Sequence, residues 1–173
     1  MQLILLKLLL ISVLIISAGT VHAQNNTYLK PELQVILFQK IFKYMNSVEQ
    51  NKKPKILVIY QQGTTGLKET INAFRDEGFT ANSTDKSEFE SVITNYQMLY
   101  LMPGVSLGNK KEIPAKNKVL TITGDPYLVA AGDAAVGVGI ENSKPAIYLN
   151  LSTVKAQNHE VSTDLINLAK IYR

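Results

Sequence analysis

The chain has 173 residues, a formal net charge of +4, two histidines and no cysteine. The absence of thiols excludes a cysteine nucleophile, a disulfide framework and thiolate metal ligands. Only His159 lies beyond the N-terminal 23 residues, so a zinc site built on several histidines is excluded too. The lysines are scattered and form no stripe interleaved with aromatic residues, which argues against a nucleic-acid partner. We predict no metal site and no cofactor.

The first 23 residues predict export. Lys7 precedes an apolar run from Leu8 to Ile16, and the small residues Val21 and Ala23 flank one position before a polar segment. An uncleaved membrane anchor is the alternative, but the run is shorter than the ~20 residues that a bilayer requires. We therefore predict a signal peptide over residues 1–23, cleaved after Ala23, and a periplasmic domain over residues 24–173 that does not span a membrane.

Helices and strands alternate through the first two thirds of this domain. Apolar residues at three- and four-residue spacing predict an opening helix, with Leu33, Ile36 and Leu37 on its buried stripe. Continuous apolar runs predict strands that are buried on both faces of a parallel sheet. The predicted elements are a helix over Glu32–Val48, a strand over Lys55–Tyr60, a helix over Leu67–Glu77, a weak strand over Phe79–Ser83, a helix over Ser87–Asn95, and strands over Met98–Met102 and Val119–Thr123.

The alternation of helices and strands changes near the end of the chain. Strands over Ala134–Glu141 and Pro145–Leu151 are separated by the turn residues Asn142 to Lys144, which favours an antiparallel hairpin. Ser152 is predicted to cap a short helix, and Ser162 a final helix that reaches Tyr172. The fold class is therefore α/β: a single domain with a mostly parallel sheet flanked by helices, a C-terminal antiparallel hairpin and a terminal helix.

Candidate ligand- or partner-binding residues lie at or just after the carboxyl ends of three of the predicted strands. Gly63 and Thr64 lie in a turn before a helix, where backbone N–H groups can hold an anion, although an ordinary connecting turn is the alternative. Gly124 and Asp125 lie where α/β sheets place their ligands, but Asp125 also fits a helix cap. Asn150 is a further candidate, with fixation of the strand-to-helix turn as its alternative role.

In order along the chain, these parts resemble the YfiR family of periplasmic regulatory proteins. The resemblance lies in the opening helix Glu32–Tyr44, the strand Ile56–Tyr60, the segment Val119–Pro126, and the closing segment Ile147–Tyr172, with an Asn-Leu pair and a Ser-x-x-Leu-x-x-Leu-Ala-x-Ile ending. It covers nearly the whole predicted domain. Family members are known as repressors of an inner-membrane diguanylate cyclase.

The resemblance implies a non-enzymatic regulatory or sensory domain that binds a protein partner. This partner would be an inner-membrane signalling protein such as a diguanylate cyclase or a sensor kinase. Because the chain has no cysteine, regulation by disulfide redox state cannot operate here. Two other functions stay open: a periplasmic small-ligand-binding domain, and a hydrolase that uses Ser152 or Ser162 with His159.

The opening helix also predicts self-association. Phe38 and Tyr44 fall outside its predicted buried stripe, and a helix that covers one sheet needs only one apolar face. Either the C-terminal helix or a second copy of the protein would cover the excess, and relatives in the YfiR family are thought to dimerise. We predict a homodimer with Phe38 or Tyr44 at or near its interface.

Overall fold

The structure is a computed structural model that describes residues 28–48 and 52–173. The predicted signal peptide and its cleavage site lie outside these residues. The helices are α1 (Pro31–Phe42), α2 (Leu67–Asp76), α3 (Glu112–Asn117), α4 (Pro126–Ala130), α5 (Leu151–Ala156) and α6 (Thr163–Leu168). The strands are β1 (Lys55–Tyr60), β2 (Thr80–Asp85), β3 (Met98–Leu101), β4 (Leu120–Thr123), β5 (Val136–Glu141), β6 (Lys144–Asn150) and β7 (Ala169–Tyr172).

All seven strands form one sheet in the order β2-β1-β3-β4-β5-β6-β7. Strands β1 to β5 are mutually parallel, β6 is antiparallel to β5, and β7 is parallel to β6. Every residue of β3 and β4 is buried, as the continuous apolar runs predict. The predicted α/β fold with its parallel sheet and antiparallel hairpin is confirmed. Among the described residues, no helix is long and apolar enough to cross a membrane.

Helix α1 presents a different face to the sheet from the one predicted. Leu33 and Ile36 are 38% and 40% exposed, whereas Phe38 is fully buried. The Phe38 ring packs edge-on against Tyr100 of β3, with 6.2 Å between ring centroids, and stacks on Phe42. The prediction that Phe38 lies on an outer face was therefore wrong, because aromatic packing against the sheet sets the rotation of the helix.

The chain leaves α1 earlier than predicted. The helix ends at Phe42 rather than Val48, and Met45 forms an isolated antiparallel bridge with Val161. The helix predicted over Ser87–Asn95 is likewise replaced by two short 3₁₀ turns. In both segments, tertiary contacts outweigh a local apolar spacing that alone favours helix.

The terminal helix is present but shorter than predicted. Ser162 accepts a hydrogen bond from the backbone of Leu165, as a cap does, yet α6 ends at Leu168 and Ala169–Tyr172 continues as β7. Strand β7 pairs with β6, and the Tyr172 ring stacks on Tyr148 at 6.5 Å between centroids. Pairing with the open edge of β6 explains why the last four predicted helical residues are a strand instead.

The hairpin between β5 and β6 has a two-residue turn. Asn142 and Ser143 both have positive φ, 50° and 62°. Positive φ at both central residues is the pattern of a type I′ turn, whose twist matches that of the flanking strands. Two glycines of β5, Gly137 and Gly139, then allow α4 to approach the sheet closely, since a Cβ at Gly139 would lie 2.4 Å from Pro126 Cγ.

We predict that Gly137→Ala destabilises the protein by about 1–3 kcal/mol, because the added methyl group overpacks the contact between β5 and α4. A Cβ at this position would lie 2.5 Å from Val129 Cγ2. The free energy of unfolding, measured by denaturant titration, checks this. The Gly137→Ala/Val129→Ala double variant is the control: the steric explanation requires a loss smaller than the sum of the single losses, and additive losses would contradict it.

Candidate functional site

A cavity of about 730 Å³ opens at the carboxyl ends of β1 and β3. The chain leaves β1 towards β2 on one side and reaches β3 on the other, so this gap is the point where the order of the parallel strands reverses. Open α/β sheets bind their ligands at such a point. We call it the switch-point cavity. Its lining comprises Tyr28, Leu29, Lys30, Pro31, Gln34, Gln61, Gln62, Gly63, Thr64, Thr65, Gly66, Thr70, Tyr100, Met102, Pro103 and Gly104.

The turn between β1 and α2 forms one wall of the cavity. Gly63 and Gly66 have φ of 85° and 75°, which a side chain would strain, and Thr64 Oγ1 accepts a hydrogen bond from the backbone of Gln61 at 3.2 Å. Gly66 is the N-cap of α2 and no side chain caps the helix. The first N–H groups of α2 therefore lack a side-chain partner, and the positive end of the helix dipole faces the cavity wall. Gly63 and Thr64, both predicted, line this wall.

A buried polar pair forms the floor of the cavity. The Tyr100 hydroxyl donates to Gln34 Oε1 at 2.6 Å, and Gln34 Nε2 donates to the carbonyl of Leu29 at 2.6 Å. Burial raises the pKa of Tyr100 far above its usual value, and the backbone of Gly124 opposes part of this rise. Tyr100 therefore stays protonated and acts as a fixed donor. Neither residue was predicted as part of a site, since a glutamine within an apolar helix and a tyrosine within an apolar strand were the only signals.

Gly124 and Asp125 support the cavity without lining it. A Cβ at Gly124 would lie 2.2 Å from Gln34 Oε1, so the absence of a side chain makes room for the floor. Asp125 caps α4 by accepting from the backbone of Tyr127 at 3.0 Å, and its other oxygen accepts from Gly104 N at 3.0 Å. The cap was the alternative role proposed for Asp125. Its second hydrogen bond fixes Gly104 at the cavity rim.

Tyr28 links the opposite rim to the same carboxylate. Burial raises the pKa of the Tyr28 hydroxyl, and Asp125 raises it further through its charge and a hydrogen bond. Asp125 thereby connects Tyr28, Gly104 and the first turn of α4. A single carboxylate, 4% exposed, holds two sides of the cavity entrance in place.

A second buried carboxylate, Asp133, was not predicted. It accepts hydrogen bonds from Leu107 N at 2.8 Å and from Ser106 Oγ at 3.0 Å, and Lys111 lies 3.4 Å from its other oxygen. These contacts fasten the segment that follows the cavity residues Pro103 and Gly104. The sequence offers only a weak signal for Asp133, because an Asp that follows a glycine is typical of an ordinary turn.

Asn150 lies apart from the switch-point cavity. Its Oδ1 accepts from Thr153 N at 3.0 Å and its Nδ2 donates to the carbonyl of Val129 at 3.0 Å. Both polar atoms serve the turn from β6 to α5, which was the alternative role proposed for it. Asn150, rather than the predicted Ser152, is the N-cap of α5.

His159 does not join either predicted serine. Its Nδ1 lies 2.8 Å from Ser47 Oγ, while Ser162 Oγ accepts from Leu165 N. Burial lowers the pKa of His159, and the Lys118 backbone opposes part of the shift. In the part of the chain that the structure describes, no group of three or more His, Asp or Glu side chains could hold a metal ion.

We predict that Tyr100→Phe lowers the free energy of unfolding by about 1–3 kcal/mol, because Gln34 Oε1 would then be buried without its donor. Tyr96→Phe is the matched control: its hydroxyl accepts from Asn82 Nδ2 at 3.1 Å in an exposed position, where water can replace the bond, so the loss should stay below about 0.5 kcal/mol. Denaturant titration of both variants is the measurement. Equal losses would refute a special role for the buried pair.

Solved structures share this fold at low sequence identity. A conserved domain protein from Vibrio cholerae is 11% identical with a TM-score of 0.62, and covers 83% of this chain and 60% of its own. An ABC domain from Streptococcus pneumonia, in complex with L-Trp, is 12% identical with a TM-score of 0.60. The match covers 82% of this chain and 60% of that domain's chain. A substrate-binding protein with adhesive properties from Clostridium difficile, in a ligand-free, open structure, is 16% identical with a TM-score of 0.54. The match covers 70% of this chain and 55% of that protein's chain.

These similarities establish the fold alone. This chain spans 55–60% of the length of the three structures. No protein-family model and no curated protein matches the sequence.

Proposed function

We propose that this protein is a small-ligand-binding domain whose ligand occupies the switch-point cavity. The observation that carries the proposal is the coincidence of a cavity of about 730 Å³ with the reversal point of the parallel strands. Small-molecule sites in proteins measure roughly 300–1,000 Å³ and favour such points. In the sequence analysis this function was the alternative to partner binding.

The lining defines the chemistry of the ligand. Uncharged hydrogen-bonding groups come from Gln61, Thr64, Thr65 and Thr70. Of the residues that the structure describes, Lys30 is the one charged residue in the lining, and no carboxylate lines the cavity. The uncapped N-terminus of α2 adds backbone donors. A small polar organic molecule with an anionic group, such as a carboxylate, suits this lining best, since its charge would meet Lys30 and the positive end of α2.

The neighbours support the proposal at the level of fold. The Streptococcus domain is described in complex with L-Trp, and the Clostridium protein is described as substrate-binding. This chain folds like part of each of these proteins. We extend ligand binding to this chain because its own cavity lies at the reversal point of the sheet.

The resemblance to the YfiR family suggests what the binding is for. We propose that the domain is non-enzymatic, lies in the periplasm and regulates an inner-membrane signalling protein, with ligand occupancy altering its contact with that partner. Exposed apolar side chains on α1 and just after it favour a protein contact: Leu33, Ile36 and Tyr44 are each about 40% exposed.

We predict that a panel of amino acids, organic acids and other small polar metabolites contains a compound that raises the melting temperature. A ligand at about 100 times its dissociation constant stabilises the folded state by about 2.7 kcal/mol. That corresponds to a shift of roughly 5–10 °C for a domain of this size. Differential scanning fluorimetry of the purified protein checks this, and a panel without any stabilising compound would count against ligand binding.

The location of the site is tested with Thr65→Trp, which places a large ring at the rim of the switch-point cavity. Binding of the compound should weaken at least about tenfold, measured by calorimetry, because a water-excluding contact is replaced by a clash. Thr94→Trp is the matched control, since Thr94 is also exposed but lies outside the cavity lining. Equal affinity in both variants would place the ligand elsewhere.

We also propose that the protein forms a homodimer, with an interface on α1 and the residues just after it that keeps the predicted Tyr44 but not Phe38. Phe38 is buried within the subunit and cannot take part, whereas Leu33, Ile36 and Tyr44 remain available. Sedimentation velocity at micromolar concentration should show a concentration-dependent dimer that Ile36→Glu dissociates, because a charge in an apolar two-fold contact is costly. A monomer at every concentration would rule out self-association.

A further inference from the structure

A second cavity, of about 380 Å³, lies at the opposite edge of the sheet, where β1 and β3 begin. We call it the amino-edge cleft. Its lining comprises Ser47, Val48, Lys52, Lys53, Pro54, Lys55, Gln97, Met98, Lys118 and His159. The two cavities share no lining residue.

The cleft is strongly cationic. In the described part of the chain, four lysines line it and no carboxylate does. Within residues 28–48 and 52–173, no carboxylate lies within ion-pair distance of Lys52, Lys55 or Lys118. Elsewhere in the structure, by contrast, lysines form ion pairs with nearby carboxylates. Lys170 Nζ, for example, lies 2.6 Å from Glu141 Oε1. Like charges along one concave wall raise the local potential and attract an anion.

Lys53 holds a different position from the other three. Its ammonium group donates to the carbonyl of Glu77 and lies 5.1 Å from the centre of the Phe79 ring. This lysine therefore fastens the cleft wall to the end of α2. Lys52, Lys55 and Lys118 are left as the groups that can turn towards an anion.

Lys118 occupies an unusual backbone position. It follows the last residue of α3 with φ of 55°, the left-handed conformation in which glycine is the common residue. A lysine there lacks the conformational ease of glycine, but it adds a cationic residue to the lining of the cleft. The same position provides a substitution that removes the charge without harming the fold.

Neutral groups complete the wall. His159 is held by Ser47 and its lowered pKa keeps the ring uncharged at neutral pH, so it does not add to the repulsion among the lysines. Gln97 Oε1 already accepts from Lys55 N at 2.9 Å, which leaves its amide nitrogen as a donor. The cleft therefore presents cations and hydrogen-bond donors to its occupant.

We propose that the amino-edge cleft binds a phosphate group, carried either by a small soluble molecule or by a phospholipid head group. Phosphate is a compact, multiply charged acceptor that lysines bind as point charges from several directions. The cavity is about half the size of the switch-point cavity, which suits a phosphate with a short substituent. This site and its ligand are separate from the function proposed above.

The test uses the purified protein, inorganic phosphate and glycerol 3-phosphate, with binding measured by calorimetry at low ionic strength. Lys118→Gly should weaken binding about tenfold, as expected for the loss of one charge-assisted hydrogen bond. Its melting temperature should be equal or higher, because glycine suits the left-handed conformation. Lys116→Gln is the matched control: it removes one charge from the exposed face of α3, outside the cleft, and should leave binding unchanged.

Vesicles distinguish the two sources of phosphate. If the protein binds vesicles that contain phosphatidylglycerol but neither soluble phosphate, and Lys118→Gly weakens that binding while Lys116→Gln does not, a lipid head group is the ligand. If inorganic phosphate or glycerol 3-phosphate binds, and Lys118→Gly but not Lys116→Gln weakens that binding, the ligand is a small soluble molecule. Absence of binding in every arm, or equal loss of binding in the two variants, overturns the proposal. Weaker binding of the stabilising compound to Thr65→Trp concerns the switch-point cavity and does not test phosphate binding in the amino-edge cleft.

Discussion

The hydrogen bond between Tyr100 and Gln34 is the contact on which the switch-point cavity depends. The Tyr100 hydroxyl lies 2.6 Å from Gln34 Oε1 in the core, so this bond joins β3 to α1. It requires a glycine at 124, because any side chain there would collide with Gln34. Together with the packing of the Phe38 ring against Tyr100, it sets the rotation of α1, so that Leu33 and Ile36 face outwards. The contacts of Tyr100 thus determine both the cavity floor and which apolar side chains of α1 are exposed.

Most of the sheet could be predicted from the sequence, because buried parallel strands have a pattern of their own. Lys55–Tyr60 is predicted to the residue, and β3 and β4 to within one. The two turns that begin with Asp125 and Ser162 follow from local capping chemistry. Strand β7 could not be predicted. Its residues also have helical spacing, and the partner that makes them a strand, the edge of β6, is visible only in three dimensions.

The candidate site was predicted only on the side formed by consecutive residues. Gly63 and Thr64 follow a buried strand directly, so the rule for α/β sheets locates them. Gln34 and Tyr100 are separated by 66 positions, and each looks like a polar interruption in an apolar run. The roles of Asp125 and Asp133 likewise come from contacts with a distant loop that no local pattern encodes.

The shortness of the central strands has an electrostatic consequence. Strands β3 and β4 have four residues each, so the two edges of the sheet are ~13 Å apart there. Exposed charges are largely screened beyond ~8–10 Å at physiological ionic strength, and Lys52, Lys55 and Lys118 are all exposed. In dilute buffer the screening length grows to ~30 Å, and these lysines then also attract an anion at the other edge. The affinity of the switch-point cavity for an anion therefore depends on the lysines of the amino-edge cleft only at low ionic strength.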